Sequence, residues 1–209
     1  MMVFRTRETE MDSMEKYLSA TEVIDWNHPS VLGKALELSA GSRDPREIAR
    51  RCFEWVRDQI QHSSDFRRNP VTCKASDVLR EGTGYCYAKS HLLGALLRAN
   101  AIPAGFCYQR LSIGDNGAPF SLHGLNAVHL PEFGWYRIDP RGNKAGVDAQ
   151  FSPPVERLAF RIVFPEERLF PQIFSEPLSV VVKALHAHVT WDAMYRNLPD
   201  WGLASLPDA

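Results

Sequence analysis

Apolar residues repeat with two different periods along the chain, and the change of period divides it. Up to about residue 99 they recur every three to four positions, the spacing of a helix face. Ser30 stands as the cap of a short helix with Leu32, Ala35, Leu36 and Ser39 on its inner side. Asp44 with Pro45 and Glu47 predicts a second helix opened by a capping box. Its buried stripe is Ile48, Ala49, Cys52, Phe53, Val56 and Ile60. After a polar loop around Arg67–Pro70, Ala75–Leu79 predicts one or two helical turns. From Cys86 to Ala99, the residues Ala88, Leu92, Leu93, Leu96 and Leu97 share one broad face, ended by Asn100 and Pro103.

Beyond that point the pattern turns to strands. Gly105–Leu111, Gly124–Leu130 and Trp135–Asp139 are the predicted strands, the last two joined by the turn Pro131-Glu132-Phe133-Gly134. Leu158–Phe164 is a fourth candidate. In the tail, Val180-Val181-Val182 favours a strand locally, whereas Val181, Ala184 and Leu185 fit a helix, and a helix is the expectation. Helices first and strands second predict an α+β domain. Residues 1–14 are expected to be a flexible leader, with Met14 an alternative start, and residues 15–209 a single domain.

Composition narrows the function classes. The 209-residue length suits one domain, and 44% hydrophobic with 23% charged residues is ordinary globular usage. A formal net charge of −1, with basic residues scattered, argues against nucleic acid or an anionic membrane as partner. Nothing resembles a membrane span or a secretory leader, so a soluble cytoplasmic protein is the expectation. In a reducing compartment Cys52, Cys73, Cys86 and Cys107 are expected to be free thiols, and no C-x-x-C suggests a zinc site. Cys52 lies on a helix stripe, Cys107 between Phe106 and Tyr108 in a strand, and Cys73 in a polar, exposed loop.

Cys86 stands apart from these. It follows Gly82-Thr83-Gly84-Tyr85 and opens a helix, where backbone N–H groups and the helix dipole stabilise a thiolate. Its own N–H is placed to help bind an oxyanion. Farther on, His123 opens one predicted strand and Asp139 closes the next, so the hairpin brings both to one end of an antiparallel pair. A carboxylate there can fix the imidazole tautomer while the other ring nitrogen faces the thiol. Taken singly, His123 also fits a strand-edge residue and Asp139 a turn residue before Pro140. His91 points around the helix away from Cys86, and His186 and His188 diverge on a helix, so no metal site is expected.

Over residues 46–145 the chain resembles the transglutaminase-like superfamily, which shares a papain-like cysteine-enzyme fold. The matching segments are Gly84-Tyr85-Cys86-Tyr87-Ala88-Lys89, Leu92–Arg98 with Ala101-Ile102-Pro103-Ala104, then His123-Gly124-Leu125-Asn126-Ala127-Val128, Gly134-Trp135 and Asp139-Pro140. The resemblance implies that the Cys-bearing helix packs on an antiparallel sheet carrying His123 and Asp139, with residues 146–209 as an extension. It implies a Cys86–His123–Asp139 triad performing acyl transfer or hydrolysis on a peptide- or protein-like amide through a thioester. No cofactor, metal or calcium is expected. Where the family often has Ala-Trp-x-Glu after the histidine, this chain has Gly124-Leu125-Asn126-Ala127, which reshapes that wall. Gln61 and His62 are candidates for the second oxyanion donor, and Tyr85, Asn126 and Arg141 for substrate contacts. Arg141-Gly142-Asn143-Lys144 is either part of the groove or a solvated loop. The competing readings are a binding module that retains the fold without catalysis, and a metal-dependent hydrolase.

Overall fold

The computed structural model describes residues 14–114 and 116–201; residues 1–13 of the expected leader lie outside them. Helix α1 (Pro29–Ser39) is capped by His28, not by Ser30, which sits inside the first turn. Only Val31 and Ala35 of α1 are buried, while Leu36 is 69% exposed. Helix α2 (Pro45–Gln59) starts where Asp44 and Pro45 predict, with the Asp44 side chain accepting the Arg46 N–H at 3.0 Å. The capping box does not close: Arg50 and Arg51 hold the Glu47 carboxylate, and the Asp44 N–H goes to Ser42 Oγ. The predicted stripe from Ile48 to Ile60 is buried throughout.

Strand β1 (Gln61–His62) follows, then α3 (Ala75–Glu81), β2 (Thr83–Gly84) and α4 (Cys86–Ala99). Gly82 ends α3 in the left-handed conformation, φ +64°, which glycine adopts without strain. The parallel pairing of β1 with β2 sets His62 beside Gly84, two residues before Cys86. Neither two-residue strand has a periodicity to read in the sequence. Helix α4 is buried on every side from Cys86 to Arg98, more completely than its leucine face predicts.

The sheet is antiparallel in the order β5-β4-β3-β6, with β3 Ala104–Ser112, β4 Phe120–Leu130, β5 Gly134–Ile138 and β6 Arg168–Leu169. Strand β4 begins before the predicted Gly124, because Phe120–His123 pair with the long end of β3. Leu158–Phe164 is not a strand. Its backbone is satisfied by buried side chains instead of a ladder: Asp139 accepts from Ala159 N–H, Glu167 from Val163 and Phe164 N–H, and Gln109 donates to Phe160 C=O. The tail forms α5 (Ser179–Ala187), with Val181 and Leu185 inward, and α6 (Trp191–Tyr195).

Two contacts fix α4 against the sheet. Gly124 lies so close to Tyr87 that a Cβ there would meet Tyr87 Cδ1 at 2.9 Å and Cα at 3.1 Å. Asn126, fully buried, donates to Ser90 C=O at 3.0 Å and Gly105 C=O at 3.3 Å. Both contacts hold the helix close against β4. All four cysteines are free and buried, including Cys73, whose loop is held by His91 Nδ1 bonding to its carbonyl.

Candidate active site

At the N-terminus of α4, Cys86 is 6% exposed and the Gly124 N–H points at its sulfur, 3.5 Å away. His123 Nε2 is 2.8 Å from Asp139 Oδ2, and the Cys86 sulfur lies near enough to raise the proton affinity of the same ring. Asp139 is fully buried and also accepts the backbone N–H groups of Arg141 at 3.2 Å and Ala159 at 3.1 Å. The Phe160 ring stands edge-on to His123 at 5.0 Å. The segment Leu158–Phe164 therefore covers the His123–Asp139 pair and keeps water from it.

Burial alone lowers the proton affinity of His123, but the Asp139 carboxylate and the Cys86 sulfur outweigh it and raise the pKa to about 10. Asp139 is shifted down. Burial works against its charge, while His123 and the two backbone N–H groups favour it more strongly. His62 shares the cleft and behaves in the opposite way. Burial and then the nearby Arg141 charge hold its pKa well below the usual histidine range, so its ring is neutral.

Asp65 does not offset these effects, because its oxygens are taken by cations. Arg141 takes both, at 2.6 and 3.1 Å, and Lys144 takes Oδ1 at 2.8 Å. His62 Nδ1, 3.8 Å from Asp65 Oδ2, is buried without a hydrogen-bond partner.

The cleft, about 1280 Å³, is lined by Cys86, His123, His62, Tyr85, Arg141 and Lys144 among others. Tyr85 packs its ring edge-on to His62 and donates its hydroxyl to Trp191 C=O. Arg141 and Lys144 thus belong to the groove, whereas Asn143 turns away to bind the backbone of Ala149. Two candidates fall elsewhere. Gln61 precedes His62 in β1, so strand alternation turns its side chain away from the cleft, whose walls do not include it. Asn126 is spent on the α4–sheet contact and does not line the cleft.

Sequence reasoning missed Asp65, Gln109, Phe160 and Lys89. Lys89 is buried and donates to the Arg57 and Ile60 carbonyls at the end of α2. Burial, reinforced by Arg141, lowers its pKa to about 7. One signal for Lys89 was available: a lysine one turn after Cys86 at the start of a leucine-rich helix. Gln109 becomes visible only through the β3–β4 register, which sets it opposite His123.

No helix among the described residues is long and apolar enough to cross a membrane. No curated protein matches the sequence closely enough to count as a relative. Among solved structures, a Cytophaga hutchinsonii protein provisionally described as a cysteine protease is similar at 18% identity and TM-score 0.50, over 62% of this chain and 42% of its own. The periplasmic domain of TgpA from Pseudomonas aeruginosa is similar at 19% identity and TM-score 0.47, over 62% of this chain and 47% of its own. The match thus spans less than half the length of either, and the first likeness shows the fold alone. The model of the transglutaminase-like superfamily matches residues 33–140, just over half of the chain, with Cys86, His123 and Asp139 all inside the match. The chain belongs to the transglutaminase-like superfamily, on a papain-like α+β fold.

Proposed function

We infer that the protein is a cysteine acyl-transfer enzyme acting on peptide-like amides through a thioester, with Cys86 as nucleophile, His123 as acid–base and Asp139 as the group that orients the imidazole. The observation that carries this reading is His123 held between Cys86 and the buried Asp139 carboxylate. His123 takes the thiol proton, and the buried Asp139 carboxylate stabilises the imidazolium that results. The sulfur attacks the carbonyl carbon, and the tetrahedral oxyanion is met by the Cys86 N–H and the ring N–H of neutral His62. His123 then gives its proton to the departing amine as the C–N bond breaks, and the thioester forms. An incoming amine or water gives up a proton to His123, attacks the thioester and releases Cys86.

The test is the alkylation rate of each cysteine across pH, read by mass spectrometry, in wild type and His123→Ala. Cys86 is expected to react fastest and to lose that lead in the variant. If Cys86 reacts no faster than Cys73 and the variant changes nothing, the protein is a binding module on the same fold. With reactivity established, incorporation of a labelled amine separates transfer from hydrolysis.

A further inference from the structure

Beyond His123 the cleft has a floor laid out by strand register. Pairing sets His123 beside Gln109 and Gln109 beside Leu169; one step along, Ser121 stands beside Leu111. Continuing the β3–β6 register sets Glu167 beside Leu111, and the Ser112 N–H donates to Glu167 Oε1 at 2.8 Å. Directly paired residues and those two apart share a sheet face. All six side chains line the cleft.

Two acceptors stand on this floor, one without a hydrogen-bond partner and one without a cation. Gln109 is 2% exposed, and its Nε2 donates to Phe160 C=O, which leaves Oε1 buried without a partner. Glu167 is 8% exposed, and its oxygens rest on the backbone N–H groups of Ser112, Val163 and Phe164. Those donors favour its charged form over the opposing effect of burial. The other acids of the cleft are matched by cations: Asp65 by Arg141 and Lys144, Asp148 by Arg157, Glu156 by Arg137. Among the described residues no cation lies within ion-pair distance of Glu167, and Arg161 on the loop above it is exposed and unpaired. Between the two acceptors lie Leu111 and Leu169, an apolar path.

We propose that this floor is a specificity site for an aliphatic chain ending in a cation, carried on the leaving-group or acceptor half of the substrate. The inference rests on the acyl-transfer reading, since the floor begins at the group that protonates the leaving atom. Gln109 Oε1 accepts an N–H close to His123, the leucines cover the methylenes, and Glu167 faces the charge. The cation is bound and does not react: two strand spacings and a two-residue step put Glu167 about 12 Å from His123.

The experiment uses chloroacetamides bearing a hexyl chain that ends in ammonium, methyl or carboxylate, with iodoacetamide as the short reference. Cys86 alkylation is followed by mass spectrometry on the full chain, in wild type, Glu167→Gln and Gln109→Leu. Expected in wild type is a rate for ammonium about tenfold above carboxylate, with methyl between. Glu167→Gln closes most of that gap, and Gln109→Leu slows all three long reagents relative to iodoacetamide. Ratios within one protein cancel differences in thiol reactivity, and if Glu167→Gln does not fold, the wild-type order alone decides. Cys86 reactivity without charge order, or an order that survives in Glu167→Gln, overturns the specificity site and leaves the acyl-transfer reading standing. A Cys86 inert to iodoacetamide as well overturns both.

Discussion

Two histidines stand in one cleft, both more than nine-tenths buried, and their proton affinities are driven apart. His123 is raised to about 10, while His62 is held well below the ordinary histidine value. Each has an aspartate in reach. Asp139 turns Oδ2 to His123 at 2.8 Å, and its remaining acceptor capacity is filled by neutral backbone donors. Asp65 is spent on two cations, and the imidazole stays at 3.8 Å. A carboxylate near a buried histidine therefore does not decide its charge alone; the distance it keeps and the cations it already binds enter as well. One ring becomes an acid–base and the other a neutral donor, the division of labour an acyl transfer requires.

The largest effect is expected from removing the charged side of this contrast. His123→Ala should lower amide turnover about 10⁴- to 10⁶-fold, with Cys86 alkylation near neutral pH falling in parallel. The same residue predicts a pH signature in stability. Because its folded-state pKa lies above the unfolded value, its stabilisation is full below about 6.5 and is lost as pH rises through about 10. Urea midpoints of wild type should therefore fall over that window, and His123→Ala should lack this component.

The neutral side breaks next. His62→Phe should cut turnover about 10²- to 10³-fold and alkylation much less, because haloacetamide displacement forms no oxyanion. Arg141→Met would turn His62 toward the His123 case. It removes the second-largest cause of the depressed proton affinity and frees Asp65 to face Nδ1. His62 should then titrate closer to neutral, seen in the NMR shift of its Cε1 proton, and turnover should gain an acid limb there. An unchanged His62 titration would mean that burial alone sets its charge.

The charged pair was legible from the chain and the neutral partner only in outline. Cys86, His123 and Asp139 sit at a helix start, on one strand and just past the end of the next, positions set by periodicity and a tight turn. The hairpin β4–β5 then does in space what its alternation implies. By contrast, the state of His62 depends on its burial and on Arg141, which reaches the Asp65 beside it from a loop far along the chain. Leu158–Phe164 misled because its apolar residues favour a strand, yet its N–H groups go to Asp139 and Glu167. Side-chain satisfaction of a backbone leaves no period in the sequence.

A smaller effect tests the scaffold beneath both histidines. Gly124→Ala would place a methyl 2.9 Å from Tyr87 Cδ1 and 3.1 Å from Tyr87 Cα, so α4 and β4 must separate. A loss of about 1–3 kcal/mol in urea unfolding is expected. Cys86 alkylation should also slow at pH 7, since Cys86 adjoins Tyr87 and moves away from the Gly124 N–H and His123. If stability falls while alkylation is unchanged, the helix yields at Tyr87 without moving the sulfur.

The smallest effect is the sharpest check on which face of β1 matters. Gln61 and His62 are neighbours, both polar, both in reach of the cleft by sequence alone, but alternation sends only His62 inward. The pairing of this strand runs through the backbone, with Gln61 N–H donating to Gly82 C=O and Gln61 C=O accepting from Thr83 Oγ1. Truncating the side chain touches neither bond. Gln61→Ala is therefore expected to keep turnover within about twofold and stability within about 0.5 kcal/mol. A fall comparable to that of His62→Phe would mean that β1 presents its other face to the substrate, and the oxyanion role would pass from the imidazole to the Gln61 amide.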